Sequence, residues 1–231
     1  MTMTPGLFSL IVPSFNEREN IIEFLRTAHA VLGVRPHEII VVDDDSPDGT
    51  AGAVEEFRKK NPWAKVIRRV GKRGLSSAVV EGFDASQGDI LGVMDADLSH
   101  DEAVLPRLIE MVDHGADLAV GSRRIPGGGA THWPWYRRLT SSAATALARL
   151  VLKLDITDPM SGYFVLKRGL YEAVRGEIRP TGYKILLELY CRAKPAVVRE
   201  VPFVFRDRKQ GHSKLTGSVI CLLYTSPSPR D

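Results

Sequence analysis

Between residues 7 and 120 the chain repeats one pattern: a short apolar run, an abrupt polar or acidic stop, then a stretch of helical period. The runs fall at 7–12, 38–42, 64–70, 90–94 and 117–120. Each is too short for a core helix and rich in aliphatic residues, so each reads as a buried strand. After the first run, Ile21, Ile22, Leu25, Ala28 and Leu32 recur at helical spacing, with Asn16 placed to cap that helix near Arg18. Further helices are predicted up to about Lys60, from Ser76 to Ala85, and from His100 to Val112. Such alternation predicts an α/β fold, a largely parallel central sheet flanked by helices and joined by right-handed crossovers.

Two of the runs end in acid. The second is followed by Asp43-Asp44-Asp45-Ser46-Pro47-Asp48-Gly49-Thr50, the fourth by Asp95-Ala96-Asp97-Leu98-Ser99-His100. In a parallel sheet both clusters emerge at the carboxyl edge, where open α/β sheets bind ligands. Side chains at i and i+2 of extended chain point the same way. Asp95 and Asp97 therefore suit a hard divalent cation that also holds a diphosphate. A turn followed by a helix cap accounts for the same acids. No G-x-G-x-x-G follows the first strand and no P-loop is present, which argues against a dinucleotide cofactor.

The 231 residues are long enough for one domain with a sizeable core, and a charge of +3 gives no argument for nucleic acid. Two cysteines, Cys191 and Cys221, make no disulfide framework and fit a reducing compartment. Residues 1–9 lack the features of a signal peptide, and no apolar run approaches the length of a membrane span. A cytoplasmic location is the expectation.

From residue 127 the character changes. Gly127-Gly128-Gly129 is a hinge or lid candidate, followed by the aromatic His132-Trp133-Pro134-Trp135-Tyr136. Residues 137–155 have helical period, with Arg138, Ser142, Thr145, Arg149 and Lys153 on one face and Leu139, Ala143, Leu147, Leu150, Val151 and Leu154 on the other. A membrane-surface helix and a domain-packed helix with a solvated basic face both fit this pattern. A strand or tight turn at 160–167, a short helix at 183–193, a late strand at 197–205 and a mobile basic loop at 206–214 complete the reading. Residues 1–217 are expected to form the domain. Residues 218–231 read as a truncated end, with a tail from Cys221 to Asp231 that has no continuity with what precedes it and is expected to be non-native.

The order and spacing of several motifs resemble family 2 glycosyltransferases of the GT-A fold, and within them the polyprenyl (dolichyl) phosphate mannosyltransferases. The motifs are Val12-Pro13-Ser14-Phe15-Asn16-Glu17, the run from Asp43 to Thr50, Asp95-Ala96-Asp97, Gly121-Ser122-Arg123, Asp158-Pro159-Met160-Ser161-Gly162-Tyr163-Phe164, Gly182-Tyr183-Lys184, and Arg208 with Ser213-Lys214-Leu215. The resemblance runs from Leu7 to about Thr216. It implies that Pro13, Phe15, Glu17, Val42 and Asp44 line the base and ribose of a nucleotide sugar, and that Ala96 touches it through its backbone. Asp95 and Asp97 would hold Mg²⁺ or Mn²⁺, with Ser99 as a third ligand. Arg123, Lys184, Arg208 and Lys214 would gather phosphates, and Arg137 and Ser141 would meet the acceptor phosphate. Asp97, Lys184 and Arg208 are the expected catalytic set. Three positions depart from the family pattern: Phe15 replaces tyrosine, Ser99 replaces glutamine, and His212 stands where glutamate is common.

The implied reaction is inverting transfer of mannose from GDP-mannose to a polyprenyl phosphate, by a protein peripherally associated with the cytoplasmic face of the membrane and with no nucleic-acid partner. The competing readings are the same fold with another donor such as UDP-glucose, a non-catalytic nucleotide-sugar or lipid-phosphate binding module, and a sugar-1-phosphate nucleotidyltransferase. The last normally brings a Gly-rich loop with Arg and Lys after its first strand, and none is present.

Overall fold

The computed structural model describes residues 6–131, 154–180, 182 and 184–206. The strands are β1 (Phe8–Ser14), β2 (His37–Asp43), β3 (Ala64–Arg68), β4 (Ile90–Val93), β5 (Leu118–Ser122), β6 (Gly129–Ala130), β7 (Phe164–Lys167), β8 (Val198–Pro202) and β9 (Val204–Phe205). The helices are α1 (Arg18–Leu32), α2 (Thr50–Arg58), α3 (Leu75–Ala85), α4 (Leu105–Asp113, preceded by a 3₁₀ turn at Glu102–Val104), α5 (Arg168–Glu172) and α6 (Ile185–Ala193).

Seven strands form one sheet in the order β3-β2-β1-β4-β7-β5-β8, and β6 pairs with β9 in a small second sheet. Strand parity sorts the core. Leu10, Val12, Ile39 and Val41 face α1, α2 and α4, burying Phe24, Leu25, Val54, Leu105 and Leu108. Ile11, Ile40, Val42 and Leu91 face α3, α5 and α6, burying Val79, Phe83, Tyr171 and Leu186. Burial on both faces is why these strands read as continuous apolar runs. Gly82 brings α3 onto the sheet: a Cβ there would collide with Ile11 and touch Val42 at 3.1 Å.

The chain departs from a simple parallel reading at β7. It enters between β4 and β5 and runs antiparallel to both, with Phe164 opposite Val93 and Val120. Its amino-terminal end therefore arrives at the edge where β1, β2 and β4 finish, carrying the 158–163 segment to the acid clusters.

Local expectations shift in four places. Asn16 does not cap α1: it takes φ 56°, and Glu17 is the cap residue, without a capping side-chain bond of its own. The donors at this end go to the loop after β2, with Glu17 N–H on Thr50 Oγ1 (3.1 Å) and Arg18 N–H on Asp48 Oδ2 (3.0 Å). The third strand stops at Arg68; Arg69 turns inward and Val70 outward. The glycine run is built into β6, where Gly129 N–H donates to Phe203 O at 3.1 Å. The helix expected at 137–155 falls mostly on residues 132–153, outside the described residues, and Leu154 and Asp155 are not helical.

Candidate active site

The strand order reverses at β1, with β2 and β3 to one side and β4 to the other. That reversal, at the carboxyl ends of parallel strands, opens the crevice where α/β sheets take ligands. Pro13, Phe15 and Glu17 follow from β1, Asp44 from β2, and Asp95, Ala96 and Asp97 from β4, all on this edge. Ser46 Oγ accepts Asn16 N–H at 2.9 Å, and Asp44 N–H donates to Ser14 O at 3.0 Å, tying the first two loops together.

Unmet polar groups gather on the same edge. Among the described residues, the buried side-chain atoms with no hydrogen-bond partner are Ser14 Oγ, Asp44 Oδ1, Arg69 Nε, Ser76 Oγ and Arg35 Nε. The first four follow the ends of β1, β2 and β3 or open α3. Buried polar atoms are normally satisfied, so such a cluster points to a ligand-binding region.

Asp44 is mostly buried. Its Oδ2 accepts the Gly74 N–H at 2.8 Å, and its Oδ1 lies 2.8 Å from Arg69 Nε, within ion-pair range but off the line of a hydrogen bond. Burial raises its protonation range above that of an ordinary aspartate, against the opposing pull of the Gly74 amide and Arg69. Phe15 has the Arg73 guanidinium 4.5 Å above its ring. Val42 is placed differently from the others: its side chain has 0% exposure and belongs to the core under α3.

The Asp95 carboxylate is partly exposed and Asp97 almost wholly buried. Asp97 Oδ1 accepts Ser99 N–H at 3.1 Å and the Ser99 hydroxyl at 2.5 Å. Gly162 lies against Asp95: a Cβ there would stand 3.3 Å from Asp95 Oδ2. Among the described residues no group of three His, Cys, Asp or Glu is arranged around a metal. Two carboxylates with the remaining positions left to water and phosphate oxygens are what Mg²⁺ or Mn²⁺ uses on a nucleotide, so the donor set fits such an ion.

Arg123 is held by Asp158 through a two-point fork, Nε to Oδ2 at 2.7 Å and Nη2 to Oδ1 at 2.8 Å. Burial alone would raise Asp158, but these bonds outweigh it and hold the carboxyl below its usual range. Lys184 sits at the cap position of α6, half-buried, and desolvation lowers its pKa. Gly182 O accepts Ser76 N–H at 3.1 Å, which brings the start of α6 to the start of α3. Arg137, Ser141, Arg208 and Lys214 lie outside the described residues.

The sequence pattern assigns no role to three participants, Arg69, His100 and Asp158, although the last two stand in its motifs. Arg69 falls within the 64–70 run, which reads as the third strand, and nothing there marks it for a role in the site. His100 opens the α4 segment and reads as a helix start; its ring has 2% exposure and contacts Tyr163, Phe203 and Phe205. A cavity of about 450 Å³ lined by Glu55, Arg58, Lys59 and Lys65 lies against β3 and includes none of Asp44, Asp95 and Asp97.

Comparison with known proteins agrees with this geometry. The family profile described as Glycosyl transferase family 2 matches residues 9–175. Dolichol-phosphate mannosyltransferase of Pyrococcus furiosus is 47% identical over 215 residues, covering 92% of this chain and 60% of the relative. Polyprenol monophosphomannose synthase of Mycolicibacterium smegmatis is 40% identical over 219 residues, covering 91% of this chain and 82% of the relative. The chain thus spans about 60% of the length of the Pyrococcus relative. Among solved structures, glucosyl-3-phosphoglycerate synthase from Mycobacterium tuberculosis superposes with TM-score 0.67 at 20% identity, covering 90% of this chain and 73% of that one. A mannosyltransferase from Pyrobaculum calidifontis, solved with GDP-Man and Mn²⁺, gives TM-score 0.63 at 19% identity, covering 90% and 59%. These likenesses place the fold among GT-A domains.

Proposed function

Because the chain belongs to glycosyl transferase family 2, we propose that it transfers mannose from GDP-mannose to a polyprenyl phosphate, with inversion at the anomeric carbon, giving polyprenyl phosphate mannose and GDP. The observation that carries this reading is the placement, at one switch point of the sheet, of the buried Asp44 after β2 and the Asp95 and Asp97 pair after β4. The names of the Pyrococcus and Mycolicibacterium relatives supply the sugar and the acceptor class.

In this reading Phe15 offers its face to the base, and Asp44 accepts from the two N–H groups on the guanine edge. Pro13 and Glu17 complete the base and ribose wall, with Val42 and Ala96 contributing backbone. Asp95 and Asp97 would hold Mg²⁺ or Mn²⁺, with Ser99 beside them. When bound, that ion supplies Lewis-acid neutralisation of the diphosphate. Lys184 is well placed to bind a phosphate, because desolvation of its ammonium is relieved by an anion. Arg123, Arg208 and Lys214 join it around the phosphates, and Arg137 and Ser141 orient the acceptor. The acceptor phosphate is already anionic near neutral pH, so positioning and charge neutralisation outweigh proton abstraction.

No helix among the described residues is long and apolar enough to cross a membrane. The polyprenyl tail remains in the bilayer, and the domain meets it peripherally at the cytoplasmic face through residues 133–153. The decisive experiment is product analysis with labelled GDP-mannose, GDP-glucose, UDP-glucose and UDP-mannose against a polyprenyl phosphate and Mg²⁺ or Mn²⁺. Lipid-linked mannose from GDP-mannose alone supports the reading; a product from a uridine donor, or none from any donor, overturns it.

A further inference from the structure

We propose that Arg69 is a positioning residue of the nucleotide site, fixing the Asp44 carboxylate and the turn before α3 so that one rigid edge faces the nucleobase. The inference rests on the reading of Asp44 as the acceptor for a guanine edge.

Arg69 is among the largest fully buried side chains of the protein, and its side chain has 0% exposure. It is anchored on three sides. Its backbone N–H donates to Asp43 O at 2.8 Å, fastening it to the end of β2. Both terminal nitrogens donate to Ser77 Oγ in the first turn of α3, at 3.0 and 3.1 Å. Its Nη2 also reaches Gly74 O at 3.5 Å. From this position Nε meets Asp44 Oδ1 at 2.8 Å, while Asp44 Oδ2 takes the Gly74 N–H. The carboxylate is thus held by the Gly74 amide on one oxygen and by the charge of Arg69 beside the other.

A buried ion pair is a weak source of stability compared with apolar side chains of the same volume. The misaligned Nε and Oδ1 contact makes this pair weaker still as a stabiliser. As a device for recognition the same features make sense. A fixed positive charge beside Asp44 opposes the protonation that burial favours, and only the ionised form accepts from both N–H groups of guanine. Gly74 extends the effect, since its φ of 134° is open to glycine and strained for other residues. Pinning Gly74 sets where the preceding Arg73 stands over Phe15, at 4.5 Å. One buried guanidinium therefore organises both the edge and the rim of the base recess.

The readout must separate lost recognition from a generally weakened protein. Inosine diphosphate keeps the N1–H of GDP and lacks the exocyclic amine, so the GDP to IDP affinity ratio reports the carboxylate alone. Calorimetry on the full chain with Mn²⁺ should give a ratio of roughly tenfold or more, as expected for one charge-assisted hydrogen bond. Asp44→Asn and Arg69→Met should both bring it close to one, and Arg69→Lys should leave an intermediate value, since lysine keeps the charge and loses the fork. A flattened ratio in Asp44→Asn with the wild-type ratio in folded Arg69→Met would overturn the role of Arg69 and leave Asp44 standing. A wild-type ratio in Asp44→Asn would overturn both. Should Arg69→Met fail to fold, an unchanged ratio in Arg69→Lys rejects the inference.

Discussion

His100 stacks on Tyr163, with ring centroids 5.0 Å apart and planes within 22°. The pair joins the loop after β4 to the strand that enters between β4 and β5, and Phe203 closes over both rings edge-on. Tyr163 completes the tie by donating its hydroxyl to Asp101 O at 3.1 Å. His100 Nδ1 accepts the Asp95 N–H at 3.3 Å, which places its own proton on Nε2 in the neutral ring. A neutral aromatic residue thus holds the backbone of Asp95 in place.

Burial pushes the His100 pKa down to about 4, with Asp97 and Asp158 pulling it up and Arg123 pushing it further down. The folded state binds this proton less readily than the unfolded chain. The stability it contributes is therefore complete above pH 6.5 and is lost as pH falls toward 4. Linkage gives about 2 kcal/mol at pH 5. In thermal melts of the metal-free protein at pH 7 and pH 5, His100→Phe should lose ~4–8 °C less than the wild type over that interval. Parallel losses in the two proteins would contradict this.

Asp97→Ala should reduce mannosyl transfer roughly a thousandfold, since the loss of one proposed metal carboxylate removes several kcal/mol of charge stabilisation. The fold should survive, because Asp97 follows β4 in a loop and its hydrogen bonds to Ser99 are local. Turnover, Mn²⁺ binding by electron paramagnetic resonance and circular dichroism check the three parts. Full wild-type activity in excess EDTA would sink the metal assignment.

Gly162→Ala tests the close approach to Asp95. The new methyl would meet Asp95 Oδ2 at 3.3 Å, so the carboxylate must yield by a few tenths of an ångström. Mn²⁺ affinity should fall about tenfold, the scale seen when groups supporting metal ligands are disturbed. The melting temperature should move by less than about 2 °C, since no positive φ is involved. A large stability loss with unchanged Mn²⁺ affinity would reverse the argument.

Asp158→Ala removes the partner of Arg123, whose side chain is 20% exposed against 1% for Asp158. Breaking such a pair from the buried side should cost about 3 kcal/mol in urea unfolding. It should also weaken donor binding, because the guanidinium loses its two-point hold. A stability change below about 1 kcal/mol would show that the fork contributes little.

The strand and helix pattern was legible from local sequence because burial on both faces of a parallel sheet leaves uninterrupted apolar runs, and helices facing it keep their 3.6 period. The same locality revealed the acids at Asp44, Asp95 and Asp97, since a strand end is where an apolar run stops. What only the tertiary structure decided are the relations between distant segments. The 160–167 stretch read as strand or turn, and nothing in it specifies an antiparallel place between β4 and β5, because strand order follows from nonlocal pairing. Asn16 had the chemistry of a cap, yet α1 is closed by Asp48 and Thr50 from another loop. Arg68 and Arg69 are alike in the chain, and their fates differ because the strand ends between them: one remains exposed beside Asp45, the other turns under Asp44. Composition and periodicity determine which residues must be buried. Only the assembled fold determines which charges are buried with them, because the cost of burying a charge is met by a partner that the sequence places elsewhere.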